Sequence, residues 1–132
     1  MKSSVLDSFA VLALLFGEKG CEKVMTLLEK AAQGGQTILM ASPNWAEVRY
    51  IVERKSGAAR WLDARKNLSA LPIRVVAVDQ DVAERAGEIK AQHRMGLADA
   101  FAAALAHQTG SDLYTGDPEF EEVEKQIRVV WL

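Results

Sequence analysis

The feature that most constrains the fold of this chain is a regular alternation of short aliphatic runs with longer amphipathic patterns. The aliphatic runs have the length and composition of buried β-strands and cover residues 4–6, 38–41, 73–78, 112–115 and 127–131. The patterns between them have helical periodicity and cover residues 9–16, 21–33, 43–55, 58–71, 82–92 and 98–108. Strands separated by helices require crossover connections. The sequence therefore predicts an α/β fold, with a mainly parallel central sheet of about five strands flanked by helices on both faces.

The size and composition indicate one folded domain that spans residues 1–132. The chain is 49% hydrophobic and 26% charged, which is ordinary globular usage and unlike that of disordered chains. Cys21 is the single cysteine, so no intrachain disulfide is expected and a reducing cytoplasm fits. No apolar run approaches the ~20 residues of a membrane span, and Asp7 interrupts the apolar stretch near Lys2. We therefore expect a cytoplasmic protein without a signal peptide or membrane contact.

The charge is unevenly distributed, although the net charge is only -2. Residues 49–66 contain six basic and two acidic side chains, for a net charge of +4, whereas the remainder carries -6. A local basic face on an acidic protein suits a bound phosphate anion. A solvated helix face explains the same pattern equally well.

Two aspartates directly follow predicted strands. Asp7 comes after the strand at 4–6, and Asp117 comes after the strand at 112–115. Ligands of parallel sheets bind beyond the carboxyl ends of the strands, where these two carboxylates are expected to converge. Each aspartate also precedes a helical pattern, and Asp117 precedes a proline, so N-capping is a competing interpretation for both.

Asp99 is the only polar side chain between residues 97 and 106. That helix is apolar all round and should be buried. Helical spacing places Asp99 on a stripe with Ala102, Ala103 and Ala106, whose small side chains allow close approach of another element. A carboxylate in such a place is costly unless it is compensated. A metal ion would provide the compensation, and capping of the helix start is the alternative.

Glu47 lies in the helix predicted at 43–55, which we expect Ser42 to cap. Val48, Ile51 and Val52 mark the buried side of this helix, and Glu47 sits at the edge of that side. Its carboxylate can reach inward toward the other acidic residues or lie in solvent, and the solvated position is common for glutamate.

Carboxylates brought together raise one another's pKa, and a hard divalent cation removes that penalty. Oxygen ligands with coordination positions left to water suit Mg²⁺ or Mn²⁺. Zinc is not indicated, because the remaining metal-binding side chains have no suitable spacing, namely His93, His107 and Cys21. We interpret these three as structural or surface residues.

Four segments together carry a resemblance to a known family. They are Val5-Leu6-Asp7-Ser8, Asn44-x-x-Glu47-Val48, Leu97-Ala98-Asp99-Ala100-Phe101 and Thr115-Gly116-Asp117-Pro118-Glu119-Phe120. In this order and spacing the chain resembles the PIN domain, and in particular the VapC toxins of bacterial and archaeal toxin–antitoxin pairs. The resemblance covers essentially the whole chain.

The resemblance implies a catalytic metal site formed by Asp7, Glu47, Asp99 and Asp117. It also implies that Thr115 positions a ligand water, and it makes Asn44 and Ser8 candidates for supporting the ligands. The activity implied is Mg²⁺- or Mn²⁺-dependent endoribonuclease cleavage of RNA by a toxin of a type II toxin–antitoxin system.

Family resemblance further implies a cognate antitoxin protein and a homodimer. A groove between the helices at 21–33 and 43–55 could accept an amphipathic partner helix. One alternative is a catalytically inactive PIN domain that serves as an RNA-binding or protein-interaction module. A phospho-accepting receiver domain is a third hypothesis, but it requires an acidic pair at the first strand, a mid-chain acceptor aspartate and a late lysine, which the sequence does not supply convincingly.

Overall fold

The computed structural model describes residues 2–132, which form five strands, six α-helices and one 3-10 helix. The strands are β1 (Ser3–Leu6), β2 (Thr37–Ala41), β3 (Ile73–Val76), β4 (Asp112–Thr115) and β5 (Val129–Trp131). The α-helices are α1 (Ser8–Phe16), α2 (Cys21–Ala32), α3 (Ser42–Ser56), α4 (Ala58–Ser69), α5 (Gln80–Gln92) and α6 (Leu97–Thr109). The 3-10 helix, Pro118–Val123, connects β4 to β5. Every predicted element is present, so the α/β prediction is confirmed.

The five strands form one sheet in the order β3-β2-β1-β4-β5, and all neighbouring pairs are parallel. The first strand of the chain therefore lies at the centre of the sheet. Val5 in β1 is in register with Leu39 in β2 and with Leu113 in β4. Because all the strands run in one direction, their carboxyl ends share one edge, where Asp7 and Asp117 leave the sheet.

Helices cover both faces of the sheet, and the side chains of each strand alternate between the two layers. Val5, Leu39 and Leu113 pack with buried residues of α5 and α6. Leu6 and Met40 point the other way and pack with buried residues of α1–α4. The flanking helices expected from the sequence are thus confirmed.

Several predicted boundaries were wrong for identifiable reasons. β3 ends at Val76 rather than at residue 78, because the chain turns toward Asp79, whose side chain accepts a hydrogen bond from Val82 N at 3.0 Å and caps α5. β5 begins at Val129, because Ile127 is a buried residue whose N–H bonds to the 3-10 helix. Ser42 does not cap α3, since it is the first helical residue and the cap position is Ala41.

The groove beside α2 also differs from the prediction. It is a cavity of about 630 Å³ lined by residues of α1, α2 and α4, among them Met25, Leu28 and Leu68, and not by α3. None of the helices within residues 2–132 combines the length and apolar character that a membrane span requires.

Candidate metal centre

Asp7 is held rigidly at the end of the central strand. Its side chain is fully buried, and its Oδ1 accepts a hydrogen bond from Ala10 N at 2.8 Å. Thr115, also fully buried at the end of β4, donates its hydroxyl to Oδ2 of Asp7 at 2.5 Å. The capping role considered for Asp7 is therefore confirmed. The hydrogen bond from Thr115 also fixes the Asp7 carboxylate beside β4.

Burial raises the pKa of Asp7 from 3.8 to about 7. The hydrogen bonds from Thr115 and Ala10 act in the opposite direction and lower it, while the charges of Asp117 and Glu47 raise it further. Desolvation outweighs the two hydrogen bonds, and no basic group within residues 2–132 is among the causes that lower this pKa. In the absence of a cation, protonation of this carboxyl therefore extends up to the neutral pH range.

Asp99 occupies the first turn of α6 and is half-buried. The cap residue of α6 is Gly96, which makes no side-chain cap bond, so the capping alternative for Asp99 was wrong. Burial is the largest cause that raises the pKa of Asp99 from 3.8 to about 8, followed by the charge of Asp117 and then those of Asp7 and Glu47. The four predicted carboxylates therefore interact in one electronegative pocket.

Asp117 caps the 3-10 helix and faces Asp99. Its backbone N–H donates to Thr115 Oγ1 at 3.0 Å, and its Oδ1 accepts from Glu119 N at 2.9 Å. One carboxylate oxygen from each of Asp99, Asp117 and Glu119 lies within 4.8 Å of the others. The capping interpretation of Asp117 is therefore confirmed. Asp117 is also part of the acidic cluster.

Glu119 is the acidic residue that the sequence analysis missed. It is exposed, and a side-chain hydrogen bond with it also raises the pKa of Asp99. The signal that could have found it is its position two residues after Asp117 in a tight turn, which brings both carboxylates to the same side.

Glu47 lies at the rim of the cluster on α3. It is half-buried, and the Tyr50 hydroxyl lies 3.5 Å from its Oε2. Its charge raises the pKa of both Asp7 and Asp99, so it faces the pocket and not bulk solvent alone. It is not one of the three residues whose oxygens approach within 4.8 Å.

Asn44 ties together the elements that carry three of the carboxylates. Its side chain is fully buried, and its Nδ2 donates to Ser8 Oγ at 3.2 Å and to the Ala98 carbonyl at 3.1 Å. Ser8 Oγ donates in return to the backbone carbonyl of Asn44 at 3.3 Å. Ser8 follows Asp7, Asn44 lies one turn before Glu47, and Ala98 precedes Asp99. One amide thus sets the spacing of α1, α3 and α6.

The same amide leaves a buried acceptor unused. Asn44 Oδ1 has no hydrogen-bond partner within residues 2–132. Buried polar atoms are normally satisfied by protein or by ordered water. The carboxylates of the cluster repel one another when they are ionised, and a divalent cation would remove this repulsion. The carboxylates and the unused acceptor together fit a hydrated divalent cation.

Comparisons with known proteins agree with this architecture. A family model described as the PIN domain matches residues 4–126. Two curated relatives, a VapC ribonuclease of Mycobacterium bovis and ribonuclease VapC42 of Mycobacterium tuberculosis, are each 29% identical over 124 residues, covering 86% of this chain and 90% of each relative.

Solved structures share the fold at lower sequence identity. VapBC2 from Rickettsia felis, bound to a promoter DNA fragment, has a TM-score of 0.79 at 16% identity and covers 97% of both chains. VapC20 from Mycobacterium tuberculosis, a toxin that cleaves the sarcin–ricin loop, has a TM-score of 0.71 at 18% identity, with 89% of this chain and 92% of that chain covered.

Proposed function

Because this chain belongs to the PIN domain family, we propose that it is a Mg²⁺- or Mn²⁺-dependent endoribonuclease that acts as the toxin of a type II toxin–antitoxin pair. The observation that carries the proposal is the convergence of Asp7, Asp99 and Asp117 at one edge of the sheet, with Glu47 and Glu119 beside them. The curated relatives that bear the name VapC ribonuclease support the choice of RNA as substrate.

In this proposal Asp7, Asp99 and Asp117 bind the metal, while Glu47 and Glu119 complete the acidic shell directly or through water. A bound divalent ion supplies activation of a water molecule and stabilisation of the charge that develops on phosphoryl oxygens. Thr115 and Ala10 keep the Asp7 carboxylate from rotating, since each holds one of its two oxygens. Asn44 supports the ligands indirectly, because its side-chain amide holds Ser8, beside Asp7, and Ala98, beside Asp99.

In this scheme, loss of protons from the carboxylates is coupled to binding of the metal ion. The raised pKa values of Asp7 and Asp99 mean that protons occupy the site near neutral pH when no cation is bound. Binding of a divalent ion requires the ionised carboxylates and releases these protons. The affinity for Mg²⁺ should therefore rise with pH between about 6 and 9, the range in which both groups lose their protons.

The proposal extends to partners. The solved structures that share the fold include a toxin–antitoxin complex from Klebsiella pneumoniae. By analogy, this chain would be inhibited by a cognate antitoxin, form a homodimer and act in the cytoplasm as a single domain of residues 1–132.

The experiment is cleavage of RNA by the purified chain with Mg²⁺ or Mn²⁺. Asp7→Asn and Asp99→Asn should each lose at least about a hundredfold in rate, which is the scale expected when a group that stabilises the transition state is removed. Asp79→Asn is the matched control, because Asp79 caps α5 as Asp7 caps α1 yet is exposed. It should retain the wild-type rate.

Chelator should abolish cleavage, and added Mg²⁺ should restore it. Persistent cleavage by both Asn variants would exclude the metal site. A wild-type chain that binds RNA but does not cut it, once free of any inhibitor, would favour the binding-module alternative.

A further inference from the structure

An apolar cavity of about 410 Å³ lies directly beside the acidic cluster. It is an open depression between the N-terminal parts of α3 and α6, and the residues that line it are Pro43, Ala46, Glu47, Tyr50, Leu97, Ala98 and Phe101. Glu47 lines the cavity and lies at the rim of the cluster, where its charge acts on Asp99, and Ala98 immediately precedes Asp99. The cavity is thus continuous with the candidate metal centre.

Tyr50 is the most exposed aromatic side chain of this cavity, with 44% of its surface accessible, and Leu97 is 55% exposed. Two contacts hold the Tyr50 ring in place. Its hydroxyl lies 3.5 Å from Glu47 Oε2, and the Arg54 guanidinium carbon lies 4.9 Å from the ring centroid. The ring is therefore oriented before any ligand arrives, which reduces the entropy lost on binding.

The chemistry of the walls combines three properties. The lining is mostly apolar and aromatic, Glu47 supplies a hydrogen-bond acceptor among the lining residues, and Arg54 adds a positive charge next to the Tyr50 ring. Arg54 belongs to the stretch at 49–66 whose net charge is +4. A nucleotide matches this combination, because a base offers a π-face and polar edges while its phosphate offers negative charge.

We propose that this cavity binds one unstacked nucleobase of the RNA adjacent to the scissile phosphate, with Tyr50 as the stacking surface. The inference rests on the proposed ribonuclease function and specifies its substrate class. A base inside a duplex cannot enter the cavity, so the substrate is single-stranded RNA or an RNA loop. Arg54 contributes through its charge and through its support of the Tyr50 ring.

The test uses a short single-stranded RNA and a set of copies in which each base in turn is replaced by an abasic site. Dissociation constants are measured by fluorescence anisotropy with Mg²⁺ in the Asp99→Asn background, so that the RNA stays intact. With Tyr50 present, we expect one abasic position to weaken binding by about fivefold or more, the lower range for one stacked base.

Three substitutions of side chains then separate stacking from other effects. Tyr50→Ala should weaken binding of the complete RNA by a similar factor and should make it insensitive to that abasic position. Tyr50→Phe keeps the ring and should retain both properties within about twofold to threefold, which is well below the loss of a stacked base. Leu62→Ala removes an apolar side chain that is 59% exposed on α4, away from the cavity, and should change neither.

The outcomes distinguish this inference from the proposed function. If the dissociation constants depend on the position of the abasic site in the same way for the protein with Tyr50 and for Tyr50→Ala, the nucleobase site is overturned, even if cleavage is normal. A change of molar mass in light scattering for Tyr50→Ala, without a change in the abasic profile, would assign the surface to a protein interface and also overturn it. If the abasic dependence is present but wild-type protein cuts no RNA, the base site stands and the ribonuclease function falls.

Discussion

Replacement of Asp7 by asparagine should stabilise the metal-free protein at alkaline pH while it removes activity. Folding raises the pKa of this carboxyl from 3.8 to about 7, mainly through burial. At 1.36 kcal/mol for each unit, the ionised side chain costs the folded state about 4 kcal/mol above pH 7. The hydrogen bonds from Ala10 and Thr115 are already contained in that pKa, so they need no separate correction.

The sign follows from proton binding. Below pH 3.8 the carboxyl is protonated in both states and costs nothing. Between 3.8 and about 7 the unfolded chain has lost this proton while the folded chain keeps it, so stability falls as the pH rises. Above about pH 7 the folded state carries the full free-energy cost of the ionised carboxylate. Asparagine does not ionise, and the advantage of Asp7→Asn should therefore grow by about 4 kcal/mol from pH 4 to pH 8.

Urea unfolding of both proteins in chelator, at several pH values, measures this difference. With an m-value of about 2 kcal/mol/M, the midpoint of the variant should move relative to wild type by roughly 2 M across the window. Asp79→Asn is the control, because it replaces an exposed aspartate that also caps a helix. Parallel stability curves for wild type and Asp7→Asn would refute the reasoning.

Added Mg²⁺ provides an internal check of the same argument. An ion that binds only the folded state stabilises by about 2.7 kcal/mol at a hundred times its dissociation constant. Wild type should gain this stability at pH 8, and Asp7→Asn should gain little of it. The gap between the two proteins should therefore narrow when the metal is present.

Three further predictions concern positions around the site and the core. Gly20→Ala should lower the free energy of unfolding in urea by about 2 kcal/mol or more, because φ is +95° and the new Cβ would lie 2.5 Å from Leu132 Cβ. The control is Gly17→Ala, which is also at positive φ but has open space around it and should lose only about 1 kcal/mol. Equal losses for the two variants would contradict the contact with Leu132. Thr115→Val should cost about 1–3 kcal/mol at pH 8, since the buried Asp7 carboxylate loses its hydroxyl donor, and no loss in the same assay would show that water replaces it. Glu119→Gln should weaken Mg²⁺ binding in calorimetry by about tenfold without altering the unfolding midpoint in chelator, and an unchanged affinity would place this residue outside the metal shell.

The fold was largely predictable because local patterns and turn residues agree along most of the chain. Gly57 and Gly110 follow the ends of α3 and α6, where the left-handed φ values of +91° and +63° favour glycine. Ser42 misled the prediction, since a serine before a helix is a common cap, yet here the helix begins one residue earlier. The order of the strands was not predictable from periodicity, which carries no information on which strands pair.

The candidate site was predictable in its composition but not in its geometry. Asp99 stood out because a lone carboxylate in an apolar helix requires compensation, and the structure places it against Asp117. Glu119 did not stand out, because an exposed glutamate in an acidic turn is ordinary. Only the curvature of the 3-10 helix brings its carboxylate to the other two. The orphaned acceptor on Asn44 likewise depends on packing that no local pattern specifies.

The central position of β1 has a consequence for the timing of activity during synthesis. Asp7 is made early, but the hydroxyl that fixes it comes from Thr115, 108 residues later. At translation rates of about 5–20 residues per second, roughly 5–20 s separate the two on the ribosome. The acidic pocket cannot assemble until β4 has paired with β1, so the proposed ribonuclease site stays incomplete for most of the chain's own translation.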